Sequence, residues 1–236
     1  MDEDASRLAR RSFFSRAGAG VAAFAAAFGA GASTARAQSA PQDSARWQPA
    51  RHAEDDWLDH IPGTHRLFFD TLTAQGFGTA IRFSNNYFTA NKSAYGLEDG
   101  NLAVVICARH QATPFAYTDA MWAKYGAPLA ERASFNDPKT GKPAIMNVYQ
   151  ASGYGTSLGN NGTTLDAILK RGVHLAVCQL ATRASAAAIA RQTGGKPDDI
   201  YKELVSNLVA NAHMVPAGIV AVNRAQERGY AFAYTG

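Results

Sequence analysis

The sequence predicts an α/β domain of three layers, with helices on both faces of a mainly parallel sheet of about five strands. Two observations carry this. The runs Leu102–Cys107 and Val173–Cys178 are continuously apolar, apart from His174, and of strand length. They lack the in-and-out alternation of a sheet with one wet face, so both of their faces must be covered. From Trp57 onward, strand patterns and helix patterns then alternate along the chain. That is the order of parallel strands joined by right-handed helical crossovers.

The elements follow in order. His65–Asp70 reads as the first strand. Phe83, Tyr87, Phe88 and Tyr95 recur at roughly helical spacing and predict a helix over 83–95. After the strand at 102–107, residues 114–125 read as a helix with Pro114 in its first turn and Phe115, Met121 and Trp122 as apolar anchors. Residues 131–163 carry Asn136-Asp137-Pro138, Thr140-Gly141-Lys142-Pro143 and a glycine-rich stretch from Gly153 to Gly162. They read as a long excursion with one short strand at Ile145–Tyr149; an excursion of this length serves as a lid, a binding loop or a mobile insertion.

Leu165, Ile168 and Leu169 mark a short helix that Gly172 ends, before the strand at 173–178. Thr182 is the candidate cap of a helix reaching Gln192, closed by Gly194-Gly195. Pro197 opens another helix to about Ala210. His213–Val215 is a short strand, Pro216-Ala217-Gly218 leads into a helix to Arg228, and Tyr230–Tyr234 is the last strand.

Composition narrows the class. The chain has 236 residues, of which 47% are hydrophobic and 18% charged. That excludes a disordered chain, a collagen and a disulfide-dense mini-protein. The start reads as an address. Arg10-Arg11-Ser12-Phe13-Phe14 precedes an Ala- and Gly-rich run from Ala17 to Ala32, and Ala35-Arg36-Ala37 follows as a small-x-small cleavage site. Paired arginines before the apolar run point to a twin-arginine signal peptide over 1–37 and a bacterial periplasmic destination. Residues 38–56 read as a flexible linker and 57–236 as a single domain. The leader holds five of 23 basic and three of 19 acidic residues, so its removal leaves a net charge of +2. That balance does not fit a nucleic-acid partner, and no other stretch is apolar enough to span a bilayer.

In an open parallel sheet, ligands bind beyond the carboxyl ends of the strands. Cys107 and Cys178 both end predicted strands. Arg109 and His110 follow the first, and Thr182 and Arg183 follow the second. A cysteine before a helix N-terminus, with cationic neighbours, is stabilised as thiolate. Cys178 is therefore the candidate nucleophile, with Arg109, His110, Thr182 and Arg183 as candidate binding residues and Cys107 as a second thiol. Burial of Cys178 as a small hydrophobe fits the same spacing, and an oxidising compartment allows a Cys107–Cys178 disulfide. His174 lies inside a strand and reads as a core residue. No motif with metal-ligand spacing, no phosphate loop and no Gly-x-Ser-x-Gly elbow occurs, so no cofactor or metal is called for.

The segments Arg171-Gly172-Val173-His174-Leu175-Ala176-Val177-Cys178 and Val215-Pro216-Ala217-Gly218-Ile219-Val220, closing in Gln226-Glu227-Arg228-Gly229-Tyr230, resemble the DsrE/DsrF-like family. The likeness spans roughly 64–234, with its specific motifs in 171–230. Arg109-His110-Gln111-Ala112-Thr113-Pro114 and Met121-Trp122-Ala123-Lys124-Tyr125-Gly126 resemble an exported branch of that family. The resemblance implies a three-layer domain that assembles into homo-oligomers. It also implies sulfur handling, in which the cysteine matching Cys178 accepts a persulfide and passes it on. The partner would be a sulfur donor or acceptor protein, or a small anion. Sulfur-relay members act in the cytoplasm, whereas this chain carries an export signal, and its 131–163 excursion exceeds what the family core needs. The alternative is a non-catalytic ligand-binding or assembly protein of the same fold.

Overall fold

The computed structural model describes residues 48–236; the twin-arginine leader and the first part of the linker lie outside them. A short helix α1 (Trp57–His60) leads into β1 (His65–Thr71), α2 (Ala74–Tyr95) and β2 (Leu102–Ala108). A 3-10 turn at His110–Ala116 precedes α3 (Asp119–Ala133), and the excursion ends at α4 (Leu165–Lys170). Then come β3 (His174–Cys178), α5 (Gln179–Thr193), α6 (Pro197–Ser206), β4 (Ala212–Val215), α7 (Gly218–Gln226) and β5 (Ala231–Tyr234). The five strands form one parallel sheet in the order β4-β3-β2-β1-β5. The domain is a three-layer α/β fold, as its strand pattern predicts.

The order explains the layers. Strands β1 to β4 each step to the next position in one direction, so right-handed crossovers put their helices on one face. The return from β4 to β5 crosses back, which puts α7 on the other. Alternate residues of β2 show the division. Val104, Ile106 and Ala108 join the large core under α2 to α6. Ala103, Val105 and Cys107 join a smaller core with Ala221, Val222 and Ala225 of α7. Every β2 residue is buried, the reason its sequence shows no alternation.

The smaller core is completed by the segment before β1. Leu58 and Ile61 are buried in it, the Leu58 carbonyl accepts from the Tyr230 hydroxyl at 2.7 Å, and buried Asp55 lies 3.6 Å from Arg224. The ordered body therefore begins before Trp57, inside the stretch expected to be linker.

Tertiary contacts move several boundaries. The helix expected at 114–125 is instead the 3-10 turn followed by α3. Tyr117 and Thr118 are held extended between them because Thr118 N–H donates to Asn207 O at 3.0 Å and Val209 N–H donates to Ala116 O at 2.9 Å. The same pairing stops α6 at Ser206, short of Ala210. Helix α2 begins nine residues before the expected start at Phe83. Gly76 and Gly78 weaken its sequence signal, yet both sit where backbone crowds in: a Cβ at Gly76 would collide with Thr235 O, and one at Gly78 with Leu158 O.

No strand forms at 145–149. Buried Asn147 donates through Nδ2 to Phe115 O at 2.7 Å and Tyr117 O at 2.9 Å, and the Tyr149 hydroxyl donates to Ala74 O at 2.6 Å. This part of the excursion is fastened to the core and is no floppy loop. Among the described residues, no helix is long and apolar enough to cross a membrane.

His174 is half-buried and has a partner. Its Nδ1 lies 2.9 Å from Nε2 of His213 on the next strand, and the His213 ring stacks on Trp57 with centroids 4.1 Å apart. One ring must donate and the other accept, which requires a neutral imidazole. Burial, and then the charge of His174, hold His213 down to about 4; burial also lowers His174. The unfolded chain therefore takes up protons that the folded chain refuses. Stability is full above about pH 6.5 and falls by about 1–2 kcal/mol as pH drops towards 4, after allowance for partial exposure. Urea midpoints measured across this range check it: His213→Asn should flatten the slope, and an unchanged slope would show that the pair is not its source.

Candidate functional site

Three strand ends and one helix start build the site. Residues 70, 107 and 178 occupy the carboxyl ends of β1, β2 and β3. Asp70 pairs with Cys107 across β1 and β2, and Cys107 pairs with Ala176 across β2 and β3. Cys178 lies two residues beyond Ala176, so by strand alternation its side chain leaves the sheet on the same side as Cys107, towards α7. Ala108 pairs with Val177, which brings the next residues, Arg109 and Cys178, level at the rim. The connection after β3 turns to one face and that after β4 to the other. Cys178 thus stands at the crevice between diverging connections, where open α/β sheets hold ligands.

Arg109 is fixed from below. Its Nε donates to Asp70 Oδ1 at 2.6 Å and its Nη2 to Asp70 Oδ2 at 2.7 Å. This is a two-pronged ion pair in which the Asp70 side chain is 4% and the Arg109 side chain 23% exposed. Its side chain lies across Gly218, the first residue of α7. A Cβ there would stand 2.5 Å from Arg109 Cδ, 2.6 Å from Arg109 Cβ and 3.0 Å from Cys107 Sγ. Only glycine leaves room for the guanidinium stem and the sulfur together.

The two thiols differ. Cys107 is fully buried and its Sγ lies 3.7 Å from Gly218 O. Burial, and secondly the Asp70 carboxylate, push its thiol well above the ordinary range, against the opposing pull of Arg109. It therefore stays protonated. Cys178 is 7% exposed. It is the N-cap of α5, and its Sγ accepts from Ala181 N–H at 3.5 Å. Strand and helix abut without a loop, so the cap is Cys178 and not the expected Thr182.

Thr182 serves the cap from within. It is fully buried; its hydroxyl donates to Cys178 O at 3.0 Å and accepts from the Tyr117 hydroxyl at 3.0 Å. Burial pushes Tyr117 far up, so it remains a neutral donor. Thr182 thus positions the backbone and does not face a ligand. Arg183 is exposed and leaves the crevice, its guanidinium 4.1 Å from the centroid of the Tyr201 ring on α6. His110 stays at the rim, exposed and with a left-handed φ of 55°.

Both cysteines are free thiols. The register explains why a bridge is remote. Neighbouring strands about 4.8 Å apart and a two-residue offset of about 6.6 Å separate the two Cα atoms by about 8 Å, beyond disulfide reach.

The sequence placed six residues at this edge, Cys107, Arg109, His110, Cys178, Thr182 and Arg183, of which Arg183 is drawn onto Tyr201 instead. It missed Asp70, whose signal was a carboxylate closing the apolar run Leu67-Phe68-Phe69. Gly218 appeared only as a turn residue. Compared with family profiles, curated proteins and solved structures, the chain matches none.

Proposed function

We propose that the chain is a thiol-active protein that accepts sulfane sulfur on Cys178 and passes it on as a persulfide. The observation that carries this is the placement of the Cys178 sulfur at the strand-end crevice, aligned with the Ala181 amide and level with a pinned guanidinium. The likeness of residues 171–178 and 215–230 to DsrE/DsrF-like proteins supports the same reading; the leader would deliver the folded domain to the periplasm, a departure from the cytoplasmic relay members.

In the forward step, the Cys178 thiolate attacks the outer sulfane sulfur of a donor persulfide or inorganic polysulfide. The donor S–S bond breaks, its electron pair leaves with the donor thiolate, and the Cys178 S–S bond forms with no net redox change. The Ala181 N–H points at the attacking sulfur from the first turn of α5. Arg109 would hold the outer, anionic sulfur, and Asp70 keeps Arg109 at that spot. Cys107, held neutral, takes no part. Leu180 and Ile219, in the first turns of the two helices flanking the crevice, are 64% and 61% exposed. An apolar rim of this kind suits a protein donor or acceptor better than a free anion.

Exposure of the purified chain to inorganic polysulfide, followed by alkylation and peptide mapping, tests the proposal. One added sulfur atom is expected on the peptide holding Cys178 and none on that holding Cys107. Addition at neither, under conditions where an unfolded control is modified, would remove the proposal.

A further inference from the structure

The excursion between α3 and α4 contains a cavity that the sulfur chemistry does not use. Its volume is about 660 Å3, within the range of small-ligand pockets, and its wall of Lys139, Thr140, Lys142 and Ile145 is open to solvent. One carboxylate organises both of its walls. Asp137 Oδ1 accepts from Lys139 N–H at 2.8 Å and Oδ2 accepts from the Tyr154 hydroxyl at 3.0 Å. Backbone bonds from Gly141 N–H to Asp137 O at 2.8 Å and from Asp137 N–H to Lys142 O at 2.9 Å close the turn beneath it. The cavity is therefore built before any ligand arrives.

Its chemistry is two-sided. Lys139 Nζ stands 3.9 Å from the centroid of the Tyr154 ring. With Asp137 committed to the turn and to Tyr154, neither Lys139 nor Lys142 has a carboxylate partner among the described residues. Lys92 and Lys124 are paired with glutamates, whereas Lys170, Lys196 and Lys202 share the unpaired state, so the site rests on the placement of two ammonium groups beside an apolar wall. Pro143, Ile145 and Met146 line the same space, and Ile145 and Met146 are 71% and 39% exposed. Thr140 and Ser152 add hydroxyl donors.

We infer that this cavity binds a small organic carboxylate with an apolar body, of the size of octanoate. The carboxylate would lie between the two ammonium groups and the apolar body against Ile145, Met146 and the Tyr154 ring. Two ammonium groups attract a carboxylate or a phosphate alike; the adjoining wall of Pro143, Ile145 and Met146 selects an anion that carries an apolar body.

The test uses the full chain with methyl-labelled methionine, read by NMR during titration with octanoate and, separately, inorganic phosphate. The Met146 methyl is expected to move saturably with octanoate and not with phosphate. The methyls of Met121 in α3 and Met214 in β4 should stay still and report an intact fold. The double variant Lys139→Gln, Lys142→Gln should bind about tenfold more weakly with those two reference methyls unchanged. The inference is overturned if Met146 does not move up to about 10 mM octanoate, if phosphate moves it equally, or if the double variant binds as tightly. It is also overturned if Met146 responds to protein concentration and not to octanoate, because a second copy then fills the cavity.

Discussion

Asp70→Ala is expected to lower the stability of the domain by about 2–4 kcal/mol, because it leaves a guanidinium in a largely buried place without its counter-charge. For a domain of this size the melting temperature would fall by roughly 5–15 °C. The pair is not an ordinary surface bridge: Asp70, one residue from the end of β1, is 3% exposed and holds Arg109 by two bonds of 2.6 and 2.7 Å. Exposed ion pairs contribute about 0–1 kcal/mol, so a loss under about 0.5 kcal/mol in urea unfolding would place Asp70–Arg109 in that class and contradict the account. A second readout separates position from stability. Asp70 helps hold the Cys107 thiol up, while Arg109 opposes it. Removal of the carboxylate should make Cys107 easier to ionise in whatever fraction remains folded.

The architecture was legible because the parallel strands are covered on both faces and so appear as unbroken apolar runs. β2 and β3 stand out for this reason. Their shared polarity and strand order then follow from short right-handed crossovers, and the crowding of Cys107, Arg109 and Cys178 at one edge follows from polarity alone. What stayed hidden depends on neighbours distant in sequence. Tyr117 and Thr118 contain nothing that forbids a helix, yet the chain at 207–209 draws them out straight. Gly76 and Gly78 read as helix breakers until Thr235 and Leu158 are seen against them.

The site shows the same division. Spacing put cations near Cys178 but could not choose among them. Arg109 is retained by Asp70, a carboxylate 39 positions away, while Arg183 is drawn off by Tyr201. Thr182 has the right residue type for a cap, but its hydroxyl serves the carbonyl of Cys178, and the sulfur itself occupies the cap position. The histidines at 174 and 213 were each read alone as strand residues; only the register Ala176↔His213 brings their rings together.

The largest functional effect is expected from the thiol. Cys178→Ala should abolish native-state alkylation and persulfide formation while removing little packing, since the change deletes one sulfur atom at a rim position. Cys107→Ala should leave both reactions in place, because Cys107 is sealed in the core beneath Gly218 and can react only when the fold opens. Alkylation kinetics of the native chain at neutral pH, resolved by peptide mapping, tests this most directly. Cys178 is expected to react at least about a hundredfold faster than Cys107, with the difference vanishing in denaturant. Equal protection of both cysteines in the native chain, with both reacting once it is unfolded, would show that the residue 178 sulfur is closed to partners and would contradict the thiol chemistry proposed for this fold.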